Sequence, residues 1–134
     1  MRYNAMIPEL TVFDIQKTKQ FYLSILGFRL EYERAEEGFL FASYGESQFM
    51  FEQFHEDGWN TGRLCRPLGR GVNFSIEVEE IETLYRRLQQ QGVAFYRGLS
   101  TARYETADGM MEQKEFLLQD PDGYLLRFTH ARET

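Results

Sequence analysis

Three glutamates, Glu9, Glu52 and Glu77, each stand beside or within a run of apolar residues: Leu10-Thr11-Val12, Phe49-Met50-Phe51 and Phe74-Ser75-Ile76 respectively. Carboxylates held in such runs can bind a cation or carry a proton, and several on one surface favour the first role. Arg127, in Leu125-Leu126-Arg127-Phe128, is a cation set in the same way. Other reactive types are sparse. Cys65 lies in Arg63-Leu64-Cys65-Arg66, where cations would lower a thiol pKa, but with no base placed beside it an ordinary loop thiol is expected. Glu36-Glu37 adjoin Gly38 and read as solvated turn charge. Neither a Gly-x-Ser-x-Gly elbow nor a phosphate-binding glycine loop occurs. The expectation is a binding protein with no catalytic residue.

Aromatic residues are the second chemical resource. Twelve Phe, eight Tyr and one Trp make 16% of the chain, more than a small core needs, so some rings are expected at a ligand groove or an interface. Phe54, Trp59, Tyr96 and Tyr104 are the candidates, since each falls at a strand end or in a loop. Trp59 sits between Gly58 and Gly62 and needs something to pack on: a ligand, a partner subunit or the domain's own edge.

The elements that must position these residues occur twice. Ile7 to Phe13 alternates as a strand, Asp14 is a helix N-cap, and Ile15, Thr18, Phe21, Tyr22, Ile25 and Leu26 follow helical spacing up to Gly27. Strand-like runs follow at Phe28–Arg34, Phe39–Tyr44 and Gln48–Phe54. The second half repeats the order: a strand at Val72–Val78, a helix carrying Ile81, Leu84, Tyr85 and Leu88 that stops at Gly92, then strands at Val93–Arg97, Lys114–Gln119 and Tyr124–His130. Ile7 and Asn73 are 66 residues apart, and Gly27 and Gly92 are 65 apart, which indicates an internal duplication. The fold class is α+β: two βαβββ modules forming curved mixed sheets with helices on the outer face. One domain, 1–134, is expected, with module one at 5–54, a linker at 55–70 and module two at 71–131. Gly98–Met111 reads as a long loop, functional or mobile.

Alternation sorts each strand's side chains onto two faces. Leu10, Val12, Phe49, Phe51, Phe74, Ile76, Val78, Leu126 and Phe128 belong with the helices. The open faces receive Ile7, Glu9 and Thr11; Met50, Glu52 and Phe54; Asn73, Ser75 and Glu77; Leu125, Arg127 and Thr129. The expected ligand-binding residues are Glu9, Met50, Glu52, Phe54, Trp59, Asn73, Glu77, Tyr96, Tyr104 and Arg127.

Bulk properties narrow the partners. A net charge of −6 argues against nucleic acid and suits a cationic ligand. No apolar run approaches a membrane span, the N-terminus lacks a signal-peptide core, and a single cysteine fits a reducing compartment, so the cytoplasm is expected.

Phe21-Tyr22…Leu26-Gly27-Phe28, with Asp120-Pro121-Asp122-Gly123-Tyr124-Leu125-Leu126-Arg127, resembles the vicinal-oxygen-chelate superfamily of glyoxalases, extradiol dioxygenases and antibiotic-resistance proteins. Gly45-Glu46 leading to Phe51-Glu52-Gln53-Phe54, Leu84-Tyr85-Arg86 before Gly92, and the Leu-Leu-Arg after the Asp-Pro-Asp-Gly turn resemble its bleomycin-resistance branch. The resemblance implies metal-ligand positions at Ile7, Glu52, Asn73 and Arg127. Only Glu52 is a good donor: Ile7 has no donor atom, Asn73 a weak neutral one, and Arg127 is a permanent cation. By alternation His55 and His130 face away. No metal and no cofactor are therefore expected. The branch further implies a homodimer that sequesters a bleomycin-like ligand stoichiometrically, in grooves built from both chains. A metal-dependent lyase or dioxygenase of the same superfamily, or a binder of another planar or cationic metabolite, is the alternative. Glu52 and Arg127, an acid and a cation at two of the implied metal-ligand positions, are expected to form an ion pair.

Overall fold

The computed structural model describes residues Arg2 to Glu133. They form two compact units: residues up to Leu68 together with Pro121–Gly123, and Gly69–Asp120 together with residues from Tyr124 onward. Each unit holds one four-stranded mixed sheet with its helix on one face, an α+β arrangement.

In the first unit β1 (Glu9–Val12) leads through Asp14 into α1 (Ile15–Lys19). The Asp14 carboxylate accepts from the Gln16 and Lys17 amides at 3.0 and 3.4 Å, satisfying donors that a helix start leaves orphaned. The helix continues as wider π-type turns over Gln20–Leu26 and ends at Gly27, whose φ of 92° a side chain would strain. β2 (Arg29–Arg34), β3 (Phe39–Tyr44) and β4 (Ser47–Gln53) complete a sheet ordered β1-β4-β3-β2, with β1 parallel to β4 and the other pairs antiparallel. Leu10, Val12, Tyr22, Leu26, Leu40, Phe49 and Phe51 are buried on the helix side. Tyr22 is the hub, with its ring 4.5 Å from Phe51 and 5.2 Å from Phe28. The Pro121–Gly123 turn is tied into this unit: the Leu68 amide donates to the Asp122 carbonyl, and the Asp122 carboxylate accepts from the Phe13 amide at 3.3 Å and Arg66 at 3.4 Å.

The second unit comprises β5 (Asn73–Glu77), α2 (Ile81–Gln90), β6 (Arg97–Thr106), β7 (Gly109–Gln119) and β8 (Leu125–Glu133), ordered β5-β8-β7-β6. Ile76, Ile81, Leu84, Leu88, Phe116, Leu118, Leu126 and Phe128 fill its core. The expected face sorting holds on β5, where Ile76 and Val78 are buried and Asn73, Ser75 and Glu77 exposed. Two expectations are overturned here. Val93–Tyr96 is not a strand, and β6 begins only at Arg97. The expected loop at 98–111 is a hairpin, β6 paired antiparallel to β7 out to Thr106↔Gly109, with Ala107-Asp108 as the turn. Gly109 takes φ 124°, and the Thr106 hydroxyl donates to its carbonyl at 2.9 Å. Asp108-Gly109 and the alternation Thr101-Ala102-Arg103-Tyr104 carried the hairpin signal. It was masked because the outer part of this hairpin buries almost nothing on either face, so hydrophobic period had nothing to report.

No helix among the described residues is long and apolar enough to cross a membrane.

Candidate ligand-binding site

The parallel pairing of β1 with β4 sets Glu9 opposite Met50 and Thr11 opposite Glu52, which brings both acids to the open face of the first unit's sheet. The antiparallel register places Phe39 opposite Glu52 and Arg34 opposite Phe39, so the same row continues across β3 and β2. Beyond the end of β4 the chain turns back over this row. The His55 carbonyl accepts from the Gly58 amide at 3.0 Å and from the Asn60 side chain at 3.1 Å, closing a short loop. The product is a cleft of about 280 Å³ lined by Glu9, Arg34, Glu37, Phe39, Glu52, His55, Asp57, Gly58 and Trp59.

Four carboxylates thus face one guanidinium and one imidazole. His55 Nε2 lies 2.9 Å from Glu52 Oε1, and since a carboxylate only accepts, that ring nitrogen carries the proton. Loss of hydration raises the Glu9 carboxyl above its ordinary pKa; the charge of Glu52 raises it further, while Arg34 acts in the opposite direction. Arg34 is bonded to Glu37, and its guanidinium carbon sits 4.2 Å from the centre of the Phe39 ring and 5.5 Å from that of Tyr32. The hydrogen bonds its guanidinium donates to Tyr32 and Glu37 hold its pKa above the usual value. The cleft therefore already stacks one planar cation on an aromatic face with a carboxylate as counter-ion. Trp59 stands at its edge, 91% exposed, with a ring face open to a second.

Of the residues expected from sequence, Glu9, Glu52 and Trp59 meet here. Met50 and Phe54 belong to the same unit but not to this lining; Phe54 is half exposed, with its ring 6.1 Å from Phe13. Asn73, Glu77, Tyr96, Tyr104 and Arg127 belong to the second unit. There Arg127 Nε donates to Asn73 Oδ1 at 3.0 Å, and its Nη1 is 3.7 Å from Glu115. Glu77 is exposed on β5, Tyr96 and Tyr104 are exposed, and Arg97 lies 5.8 Å from the Tyr96 ring centre. Within its own unit Glu52 is partnered by His55, and within the other Arg127 is partnered by Asn73 and Glu115.

Arg34, Glu37, Phe39, His55 and Asp57 were missed. The error at His55 is instructive: alternation put it on the far face, but β4 ends at Gln53, and beyond a strand's last residue the count has no meaning. The expectation for His130 fares differently; its Nδ1 donates to the Val78 carbonyl at 2.9 Å, on the helix side of its sheet. A further feature had no sequence signal. The N-terminal residues lie over the other end of the first unit's open face, where Tyr3 stacks on Phe41 at 5.2 Å and 7°. Asn4 and Arg2 are held by Gln48 at 2.7 and 2.6 Å.

Glu52 is engaged by His55, the Asn73 oxygen by Arg127, and among the described residues no group of three or more His, Cys, Asp or Glu is placed to hold a metal ion.

The chain is similar to known proteins. Bleomycin resistance proteins of Geobacillus stearothermophilus and Staphylococcus aureus are each 28% identical, covering 91% of this chain and 92% of theirs. The crystal structure of a glyoxalase/bleomycin resistance protein/dioxygenase from Alicyclobacillus acidocaldarius shares the fold at a TM-score of 0.67 and 21% identity, covering 97% of this chain and 94% of that one. The sequence profile of the Glyoxalase/Bleomycin resistance protein/Dioxygenase superfamily matches residues 5–128, and the chain belongs to that superfamily.

Proposed function

We propose that this protein binds small planar cations of the bleomycin type stoichiometrically and without turnover, as a homodimer in the cytoplasm. The observation that carries the reading is the cleft itself: four carboxylates around aromatic faces, one of which already holds a guanidinium. The similarity to proteins named for bleomycin resistance supports the ligand class. In the cleft Glu9 and Glu52 neutralise the ligand's cationic group while Trp59 stacks on its planar part. At about 280 Å³ the cleft lies just below the ~300–1,000 Å³ of drug-sized pockets, so it takes a ligand's charged tail and leaves the rest to surfaces beyond it. A second copy of the chain supplies those surfaces in this reading, and Asn73, Glu77, Tyr96, Tyr104 and Arg127 are the proposed contacts of the second module.

Calorimetric titration with bleomycin, beside a panel of other planar cations, tests the proposal. Saturation near one ligand per chain with no chemical change in the ligand is expected. Absence of binding to every planar cation in the panel refutes the ligand class, and sedimentation equilibrium showing monomers at micromolar concentration refutes the dimer.

A further inference from the structure

The helix-side surface of the second unit carries a concavity of its own. Pairing of β6, β7 and β8 sets Arg103, Glu112 and Arg132 side by side on three adjacent strands. Glu112 Oε2 accepts from Arg103 Nε and Nη2 at 3.2 and 3.0 Å, and its Oε1 is 3.1 Å from Arg132 Nη2. The carboxylate is covered to 6% exposure, whereas both arginines remain more than half exposed. Among the described residues, Arg103 Nη1 and Arg132 Nε and Nη1 have no other partner. With Thr101 and Lys114 these side chains line an open recess of about 530 Å³.

One arginine suffices to neutralise one carboxylate. Two leave the recess with surplus positive charge in a protein whose net charge is −6. Glu112 acts as a spacer that orients both guanidiniums, whose planar forks match the oxygens of carboxylate and phosphate groups. We propose that this recess binds a small oxyanion, clamped between the free edges of Arg103 and Arg132 with the Thr101 hydroxyl as a further donor. Charge sets the size of the ligand. Lys114 is bonded to Glu82, and Glu79, Glu82 and His130 line the adjoining recess of about 180 Å³. A polyanion would run onto those acids, so the ligand carries a single phosphate or carboxylate head.

The test uses the full-length chain labelled with ¹⁵N, following arginine Nε–Hε resonances during titration with inorganic phosphate and, separately, with acetate at constant ionic strength. Saturable shifts confined to Arg103 and Arg132 are expected, and whichever anion binds more tightly names the ligand subclass. Arg103→Gln and Arg132→Gln should each weaken binding at least tenfold while leaving cation binding in the first unit's cleft unchanged. Shifts that never saturate, or that spread equally to Arg29 and Arg63, overturn the proposal, as does a glutamine variant of unchanged anion affinity. If a glutamine variant is unstable, Arg132→Lys replaces it: this keeps the charge but loses the fork, and affinity equal to the parent likewise overturns the proposal.

Discussion

Two glutamates, one in each unit, sit among charges of opposite kinds. Glu9 shares the open face with Glu52, which is diagonal to it on the paired strand, and its pKa is raised by lost hydration first and by that neighbouring charge second. Glu112 sits between Arg103 and Arg132, and its pKa is lowered, chiefly by the hydrogen bonds from Arg103. The same residue type on the same kind of strand thus has opposite consequences. A carboxylate crowded by its own kind costs the fold something and is satisfied by an incoming cation; one flanked by two cations is already satisfied and turns its neighbours outward. The contrast separates a group available to a ligand from a group that builds a support.

The largest expected effect comes from removing the crowding charges. Glu9→Gln with Glu52→Gln should weaken binding of a planar cation about a hundredfold, and each alone about tenfold. A hydrogen bond to a charged group is worth ~1.5–3 kcal/mol, reduced here because the cleft is open to water, and ~1.4 kcal/mol is a factor of ten. Titration calorimetry checks this, with Glu77→Gln measured alongside. An unchanged affinity in the double variant would show that the acids of this cleft are mere surface charge.

Acidification should act on the same site with smaller effect. Glu37, Glu52, His55, Asp57 and Arg34 share the cleft with Glu9. Because the Glu9 carboxyl takes up its proton at higher pH than an ordinary glutamate, cation affinity should begin to fall above the usual carboxylate range as pH drops from 8 to 5. In Glu9→Gln the first part of that fall should vanish. A variant with the parent's profile would assign the pH dependence to the other groups.

How much of this contrast was legible in advance follows from what burial does to sequence. Where a strand buries one face, alternation is imposed by the core, and Glu9 and Glu52 could be put on one surface from Leu10, Val12, Phe49 and Phe51 alone. Where neither face of a strand is buried that signal disappears, which is why the sequence reads as a loop around Arg103. His55 was lost at a strand end, and Arg34 because its neighbour Phe39 is adjacent only through strand register. Long-range pairing, not local pattern, assembles the cleft.

Stability should separate the two glutamates by sign. For Glu9 the folded pKa is raised, so its contribution is present below the ordinary 4.5 and lost as pH rises through the raised value; at pH 7 Glu9→Gln should be neutral or stabilising, within about 0.5 kcal/mol. For Glu112 the folded pKa is lowered, so its contribution is present above 4.5 and lost as pH falls through the lowered value. Glu112→Gln should lower the thermal midpoint by a few degrees at pH 7 and by progressively less in acid. Thermal unfolding of both variants at pH 7 and pH 4 checks the pair. Shifts of equal sign at pH 7 would erase the distinction drawn between the two sites.

The smallest effect sharpens the comparison within the first unit's open face, between its acidic end and the end covered by the N-terminal residues. Phe41 points to the same face as Phe39 but is 1% exposed, and the Tyr3 ring lies parallel to it. The residues holding Tyr3 in place are polar and solvent-exposed, so the stack itself supplies most of the attachment. An aromatic pair is worth ~0.5–1.5 kcal/mol beyond its area, and Tyr3→Ala should destabilise by about 1 kcal/mol, while Tyr3→Phe, which keeps the ring, should not. Affinity for a planar cation should hardly change in either variant, because the carboxylates and Phe39 lie at the other end of the face. Denaturant unfolding together with the same calorimetric titration measures both quantities. Were Tyr3→Ala to raise the affinity severalfold, the ligand would extend onto Phe41, and Tyr3 would have to be counted as an internal competitor for that ring.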